Sequence, residues 1–188
     1  MGLDMYLEAE ATIWGFENKE LNKIVRQQLK NYLKGIDEVN SDNLDYIKVV
    51  IEVGYWRKAN VIHRWFVENV QDGNDDCERY YVPREKLKEL KALCQEVIKK
   101  SKLIDGKTVN GYRMDAKRGT VETITIPAKV IANPEIAEEL LPTESGFFFG
   151  SVEYDEYYIR HLKDTIEIID RALKLPEDIW SIYYRSSW

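Results

Sequence analysis

A chain of 188 residues with 44% hydrophobic and 32% charged side chains can bury the core of one folded domain, which excludes general disorder. Its formal net charge of −6 argues against a nonspecific nucleic-acid binder, because such binding depends on cations that neutralise many phosphates. Two cysteines, Cys77 and Cys94, are too few for a disulfide framework and fit a reducing compartment. We therefore expect a single domain over residues 1–188.

No stretch of the sequence has the composition of a targeting or membrane-spanning segment. The N-terminal sequence MGLDMYLEAEA lacks a basic stretch followed by an apolar run, so it does not predict a signal peptide. No apolar run approaches the roughly 20 residues that a membrane-spanning helix needs. The sequence accordingly predicts a cytoplasmic protein without a membrane partner.

The first third of the chain predicts two strands, each followed by a helix. Residues 5–14 alternate loosely between apolar and polar side chains and indicate a strand. An apolar stripe then predicts a helix that Asn18 caps and Gly35 ends. Residues 47–53 are β-branched and nearly all apolar, which is typical of a buried strand, and they lead into a helix over 56–70.

The rest of the chain continues to mix helices with strands. The predicted elements are a strand over 79–82, a helix that starts at Pro83 and buries Cys94, a hairpin over 101–131, helices over 134–141 and 154–175, and a strand over 179–185. These elements follow no strict βαβ alternation. The expected fold class is therefore α+β, with a mixed sheet packed against several helices.

The predicted hairpin over 101–131 is basic, in contrast to the rest of the chain. From Lys99 to Lys129 there are eight basic residues and three acidic ones. Such an arm could close over an anionic ligand or dock on an acidic neighbour. A solvated hairpin without a target is the simpler interpretation.

Residues 52–77, EVGYWRKANVIHRWFVENVQDGNDDC, contain the densest group of cationic and aromatic side chains. A helix over 56–70 would place Arg57 and Arg64 together, one helical repeat apart. Arg57 and Lys58 would lie at the helix N-terminus, where free backbone N–H groups and the helix dipole favour an anion. This junction is the first candidate site.

Several aromatic residues of this stretch also have a structural interpretation. His63, Trp56 and Phe66 fall on the apolar arc of the helix, where core packing is the commoner use. Val61 and Trp65 fall on the opposite side. An apolar pair there predicts that another segment, a ligand or a second subunit covers the outer face of the helix.

The second candidate stretch is PTESGFFFG, residues 142–150. Phe147, Phe148 and Phe149 cannot all point the same way in an extended segment, so at least one should leave the local core. The glycines on either side would allow close approach of the backbone to a ligand. Tyr154 follows directly and belongs to the same candidate site.

No motif of known chemistry is present. The sequence lacks GxGxxG, a phosphate-binding GK[ST] loop, HExxH and GxSxG, and neither a cofactor nor a metal is expected. His63 and His161 do not form a zinc pattern with the two cysteines. A mixed site of His63, Asp75, Asp76 and Cys77 remains conceivable. Aromatic residues do recur beside cations, a combination that suits a planar, phosphorylated molecule.

The stretches MGLDMYL, EVGYWRKANVIHRWFVENVQDGNDDC, LLPTESGFFFG with the following YDEYY, and the terminal SSW resemble an uncharacterised family of small proteins from tailed phages and prophages. The resemblance covers most of the chain outside the basic hairpin. It implies a phage origin and action in the host-cell cytoplasm, and it implies no catalytic residue. By character alone, the chain is similar to phage counter-defence proteins that sequester nucleotide immune signals, commonly as homo-oligomers.

The leading hypothesis is a binding protein that captures a small anionic nucleotide-derived ligand without turning it over. Cations would neutralise phosphate, an aromatic ring would stack on the base, and an amide would recognise a polar edge. The predicted ligand-binding residues are Trp56, Arg57, Lys58, Asn60, His63, Arg64, Trp65, Phe147, Phe148, Phe149 and Tyr154. No catalytic residue belongs to this hypothesis.

Two alternatives remain open. The first is an inhibitor of a host defence protein that uses Val61, Trp65 and the basic hairpin as its interface. The second is an enzyme that cleaves a nucleotide signal, with His63 as general acid or base and Asp75 or Asp76 assisting.

Overall fold

The computed structural model describes residues 2–14, 20–34, 46–115, 119–146 and 148–188. These residues form six strands and five helices. The strands are β1 (Asp4–Trp14), β2 (Tyr46–Arg57), β3 (Tyr80–Tyr81), β4 (Leu103–Asp115), β5 (Thr120–Ile131) and β6 (Trp180–Ser187), and the helices are α1 (Glu20–Leu33), α2 (Asn60–Asn69), α3 (Arg84–Lys100), α4 (Glu135–Leu140) and α5 (Glu156–Leu173). The α+β class is confirmed. Asn18 and Gly35, the predicted boundaries of the first helix, lie outside the described residues.

A four-stranded sheet of order β2-β1-β6-β3 forms the centre of the fold. Every described pairing is antiparallel, although the sequence suggested a mixed sheet. Because side chains alternate along a strand, Met5, Leu7 and Ala9 of β1 face the helices and are fully buried. Tyr6 and Glu8 point to the opposite, open face of the sheet, where both contact Arg185.

Helix α5 packs closely against β2 and α3 over the buried face of the sheet. A Cβ atom at Gly54 would lie 2.2 Å from Cγ2 of Ile168, so only glycine permits this approach of strand and helix. Asp155 caps α5 by accepting from the backbone N–H groups of Tyr157 and Tyr158. The helix predicted over 154–175 is confirmed as α5, and buried side chains run along it.

Strand β2 differs from its prediction as a buried strand. It lies at one edge of the sheet, and Val49, Val50 and Ile51 are exposed. An apolar, β-branched run has the same composition in a buried strand and at an unprotected edge, so the sequence could not distinguish them. The prediction of a buried strand over 47–53 is therefore wrong in burial and right in secondary structure.

The helix predicted over 56–70 begins four residues later, at Asn60. Strand β2 continues to Arg57, which pairs with Asp4 of β1. Lys58 then adopts a left-handed backbone conformation, with φ of 56°, that separates strand from helix. Arg57 and Arg64 consequently do not share a helical face.

The basic hairpin is confirmed as the two-stranded antiparallel sheet of β4 and β5. Its base is fixed to the body of the protein by two hydrogen bonds: Thr108 Oγ1 donates to Asp155 Oδ2 at 2.8 Å, and the Ile131 N–H donates to the Tyr154 carbonyl oxygen at 2.9 Å. Towards the tip, the side chains of Tyr112 and Met114 are exposed. No helix in the described part of the chain is long and apolar enough to cross a membrane.

Candidate functional site

The two candidate stretches of the sequence meet at the start of α2. Asn60 Nδ2 donates to the carbonyl oxygens of Phe149 and Ser151 at 3.2 and 2.8 Å. Its Oδ1 accepts from the backbone N–H of Glu144 at 3.2 Å. Asn60 is buried, and all of these contacts tie α2 to the segment over 143–151. The amide that was expected to recognise a ligand thus holds one wall of the site in place.

A cleft of about 280 Å³ opens where the end of β2, the start of α2 and the start of α5 converge. We call it the junction cleft. Its walls are formed by Arg57, Lys58, Asn60, Val61, Thr143, Gly150, Ser151, Glu153, Asp155, Tyr157, Tyr158 and His161. Arg57, Lys58 and Asn60 are the predicted site residues that the fold brings together here.

The cationic end of the junction cleft lies in front of a helix N-terminus without a side-chain cap. Among the described residues, no side chain bonds the first N–H groups of α2, and no acidic residue occupies its first turn. The Arg57 side chain is largely exposed, with Nε 3.9 Å from an oxygen of Asp4. Lys58 is also exposed. The positive end of the α2 dipole beside two cations forms an arrangement that favours an anion.

Lys58 holds a strained backbone conformation that its neighbours stabilise. Its N–H donates to the Leu3 carbonyl oxygen at 2.8 Å. Gly150 packs against it so closely that an added Cβ would lie 3.0 Å from Lys58 Cβ and 3.1 Å from its carbonyl oxygen. Residues other than glycine rarely adopt a positive φ, and such conformations concentrate at functional sites.

The acidic residues of the cleft differ in how far they are already neutralised. Asp155 is buried and accepts three hydrogen bonds, from Thr108 and from the N–H groups of Tyr157 and Tyr158. These donors and the α5 dipole offset its charge. Glu153 also lines the cleft, so the site combines a cationic end with one carboxylate acceptor.

His161 forms part of the α5 side of the cleft. Burial lowers the pKa of its imidazole and nearby Arg160 acts in the same direction, whereas Asp164 and Asp155 partly oppose the shift. The ring is therefore neutral in the folded protein near neutral pH. An anion bound beside it would favour the imidazolium form.

His63 lies inside the protein and does not line the junction cleft. It is 1% exposed, and its Nδ1 lies 2.8 Å from the Tyr184 hydroxyl while its Nε2 lies 3.0 Å from Asp75 Oδ2. Asp75 Oδ1 accepts from Trp188 Nε1 at 3.0 Å. With Asp75 ionised, the bonds assign Nε2–H as the donor to Asp75 and Nδ1 as the acceptor from Tyr184.

This chain of hydrogen bonds has the order carboxylate, imidazole, hydroxyl that hydrolases use, but its hydroxyl group is inaccessible. Tyr184 is fully buried, with its ring stacked 3.9 Å from that of Phe66. Burial, with a smaller contribution from Asp75, raises the Tyr184 pKa well above its ordinary value. Both nitrogens of His63 have partners, so the arrangement stabilises the interior rather than presenting an acid or base to the junction cleft.

The predicted stacking tryptophans lie in the core. Trp56 Nε1 donates to Thr165 Oγ1 at 2.9 Å, and the ring of Trp65 packs edge-on against Phe66 at 5.4 Å. Both tryptophans are buried, so neither offers an open face to a base. Val61 and Trp65 line a second cleft, and residues of α3 and α4 form other walls of it. The cover predicted over these two side chains therefore comes from the chain itself.

Arg64 lines that second cleft rather than the junction cleft. Its Nε lies 2.8 Å from Glu68 and 3.6 Å from Glu144, and its Nη1 donates to the Thr143 carbonyl oxygen at 3.4 Å. The guanidinium group therefore helps Asn60 to hold the 143–151 segment.

The aromatic residues after Gly146 are divided between surface and interior. Phe148 is exposed, whereas the Phe149 ring packs edge-on against His63 at 5.2 Å and lies 6.0 Å from Trp188. Phe147 lies outside the described residues. The Tyr154 hydroxyl oxygen accepts from the Thr143 N–H at 3.3 Å, so this side chain supports the cleft wall from behind.

Six residues of the junction cleft lie outside both candidate stretches of the sequence: Ser151, Glu153, Asp155, Tyr157, Tyr158 and His161. No pattern in the sequence related Tyr157 or His161 to Arg57. The contact depends on how α5 packs beside α2, which periodicity within one helix does not reveal.

Most of the other aromatic and cationic neighbours in the sequence are used on the open face of the sheet. The guanidinium groups of Arg79 and Arg185 lie 3.8 and 4.0 Å from the ring centroids of Tyr183 and Tyr6. Glu8 accepts from both arginines, at 2.9 and 2.8 Å. These cations are paired within the protein and do not contribute to the junction cleft.

The metal site considered from the sequence does not assemble. Asp75 bonds to His63 while Asp76 accepts from Tyr80, and across the described ranges no three His, Cys, Asp or Glu side chains converge to hold an ion. No family model, curated protein or solved structure matches this chain. The interpretation of the junction cleft therefore depends on its own geometry.

Proposed function

We propose that this chain is a phage-type accessory protein that binds and sequesters a small anionic nucleotide-derived ligand in the junction cleft. One observation carries the proposal: Arg57 and Lys58 flank the uncapped N-terminus of α2 at the mouth of a cleft. Two cations beside the positive end of a helix dipole suit a phosphate group. An immune signal of the host is a ligand of this chemistry.

The remaining walls suit the other parts of a nucleotide. Tyr157 is 58% exposed at the cleft, so its ring has a free face on which a base can stack. Glu153 can accept a hydrogen bond from an exocyclic amino group. These roles replace those predicted for Trp56 and Trp65, whose rings are buried.

The geometry favours binding over turnover. His63, the predicted acid or base, is enclosed and engaged at both nitrogens. A volume of about 280 Å³ is close to the lower end of typical ligand sites, roughly 300 Å³, and suits a mononucleotide-sized portion of a ligand.

The test is calorimetric titration of the protein with a panel of mononucleotides and cyclic nucleotides. Mass spectrometry of small molecules released by heat from the purified protein would identify a captured ligand. Arg57→Ala should weaken binding about tenfold or more, as expected for loss of a charged hydrogen bond. Lys88→Ala is the matched control, because Lys88 is an exposed cation on α3 that does not line the junction cleft.

Binding that is unchanged in Arg57→Ala, or absent for every nucleotide with no molecule released, would overturn the proposal. A ligand recovered with its phosphate bond cleaved would instead favour the enzymatic alternative.

The inhibitor alternative retains one specific observation. Tyr112, Met114 and Val121 are exposed near the tip of the basic hairpin, where a protein partner could cover them. Val61 and Trp65, the other part of the predicted interface, are buried. Capture of a host protein that is lost in Tyr112→Ala but kept in Arg57→Ala would favour this alternative.

A further inference from the structure

The outer edge of β2 is self-complementary. This strand lies at the end of the sheet, and within the described residues no strand pairs with its outer side. Val49, Val50 and Ile51 are 37%, 49% and 38% exposed. An exposed apolar edge offers backbone donors and acceptors to another strand, and folded proteins usually protect such edges.

The side chains on either side of Val50 form a symmetric pattern, with an apolar residue next to it on each side and oppositely charged residues, Lys48 and Glu52, one position further out. If two copies pair antiparallel about a two-fold axis at Val50, each Lys48 lies opposite Glu52 of the second copy, and each Val49 lies opposite Ile51. Directly opposed residues in an antiparallel pair share one face of the sheet. This register therefore produces two ion pairs and two apolar pairs around a central valine contact.

We propose that the chain forms a two-fold homodimer by antiparallel pairing of its β2 edges, centred on Val50. The two sheets then join into one continuous sheet of eight strands, with the helices of both copies on the same side. This inference is independent of the ligand, because none of these residues lines the junction cleft.

Two structural details concern this register: a β-bulge limits the length of the paired segment, and Lys48 is accessible for the proposed ion pair. Val53 is the extra residue of a β-bulge opposite Leu7 and Glu8, and bulges end regular pairing. The side chain of Lys48 is 51% exposed although it contacts Glu10 at 2.9 Å, so a second carboxylate can reach it from the free edge. The contact between single strands is small, so we expect a reversible, concentration-dependent dimer.

Charge exchange across the two-fold axis tests this register. In the dimer, Lys48→Glu places two carboxylates opposite each other at both ends of the paired segment, and Glu52→Lys places two ammonium groups there. Each variant should dissociate about tenfold more readily in sedimentation equilibrium, because opposed like charges destabilise a strand pair. An equal mixture of the two variants should dimerise as the unmodified protein does, and so should the doubly exchanged variant.

Restored dimerisation in the mixture also distinguishes the loss of an interface contact from a folding defect. Lys48→Glu loses the contact with Glu10 in every assembly, so a folding defect would persist in the mixture. Recovered association can therefore only come from opposite charges across the two copies.

Oxidative cross-linking provides a second measurement. In a Cys77→Ser background, Val50→Cys should form an intermolecular disulfide, whereas Val121→Cys, on exposed strand β5, should not. A protein that stays at the 22.1 kDa of one chain at all concentrations would overturn the proposal and leave this edge to a different partner. So would equal cross-linking at both positions, or failure of the mixed variants to associate.

Discussion

The side chain of Asn60 donates a hydrogen bond to the carbonyl oxygen of Ser151, 91 residues away along the chain. Through this bond the first turn of α2 sets the position of the segment that forms the opposite wall of the junction cleft. A primary amide is the one side chain that can donate to two carbonyl oxygens and accept from the Glu144 N–H at the same time.

Asn60→Asp should destabilise the protein more than its small change in shape suggests. The carboxylate keeps the acceptor for Glu144 but loses both donated bonds and faces two carbonyl oxygens. Because unsatisfied buried polar groups cost about 1–3 kcal/mol each, we expect a loss of at least about 2 kcal/mol in urea unfolding. Stability equal to that of the unmodified protein would show that the segment does not depend on Asn60.

Substitutions at Lys58 should separate the effect of its backbone strain on stability from the effect of its charge on ligand affinity. Lys58→Gly removes the cation and also relieves the left-handed conformation, so the free energy of unfolding should stay constant or rise by up to about 1 kcal/mol. Affinity for an anionic nucleotide should still fall several-fold.

Lys58→Asn is the matched control, because asparagine tolerates the same backbone conformation without carrying charge. Both variants should lose affinity equally in calorimetric titration. Retained affinity in either one would exclude Lys58 from ligand binding.

The pKa of His161 should report on occupancy of the junction cleft. Burial holds the folded-state pKa below the ordinary value of 6.5, so the unfolded chain binds the proton more tightly. Stability from this residue is complete above pH 6.5 and declines as the pH falls from there towards the folded-state pKa. His161→Gln should flatten that part of the stability profile.

An anionic ligand next to His161 should raise its pKa, because it stabilises the imidazolium form. The pH titration of the His161 ring resonances, with and without a nucleotide, measures the shift. An unchanged titration at saturating ligand would place the ligand elsewhere.

The two cysteines should differ sharply in reactivity. Burial raises the pKa of the Cys94 thiol to about 12, while Cys77 is exposed. Because the thiolate is the reacting form, a thiol-specific reagent should label one cysteine in the native protein and two after denaturation. Cys77→Ser should abolish native labelling, and rapid labelling of that variant would show that the core around Cys94 opens.

Gly54→Ala should be destabilising because of one particular contact. A methyl group at this position collides with Ile168, and overpacking of this kind costs about 1–3 kcal/mol. Ile168→Ala alone should also destabilise, through the cavity it creates. In the double variant the new methyl group occupies part of that cavity, so denaturant unfolding should give a loss smaller than the sum. Additive losses would indicate that α5 moves away from β2 as a unit.

Much of the local structure could be predicted from the order of residues along the chain. Alternation in β1 and the proline before α3 each act within one segment, so their patterns predict the observed elements. The position of Arg57 and Lys58 at a strand-to-helix junction was likewise readable, since it depends on neighbours along the chain.

Which of these features face each other depends on the packing of distant segments. Val49 and Ile51 have the composition of buried residues, and only the strand order leaves them at an edge. His63 and Trp56 became interior groups because Tyr184, Asp75 and Thr165 reach them from elsewhere in the chain. Burial and hydrogen bonding depend on what packs over a side chain, and for these residues that covering comes from parts of the chain up to 121 residues away.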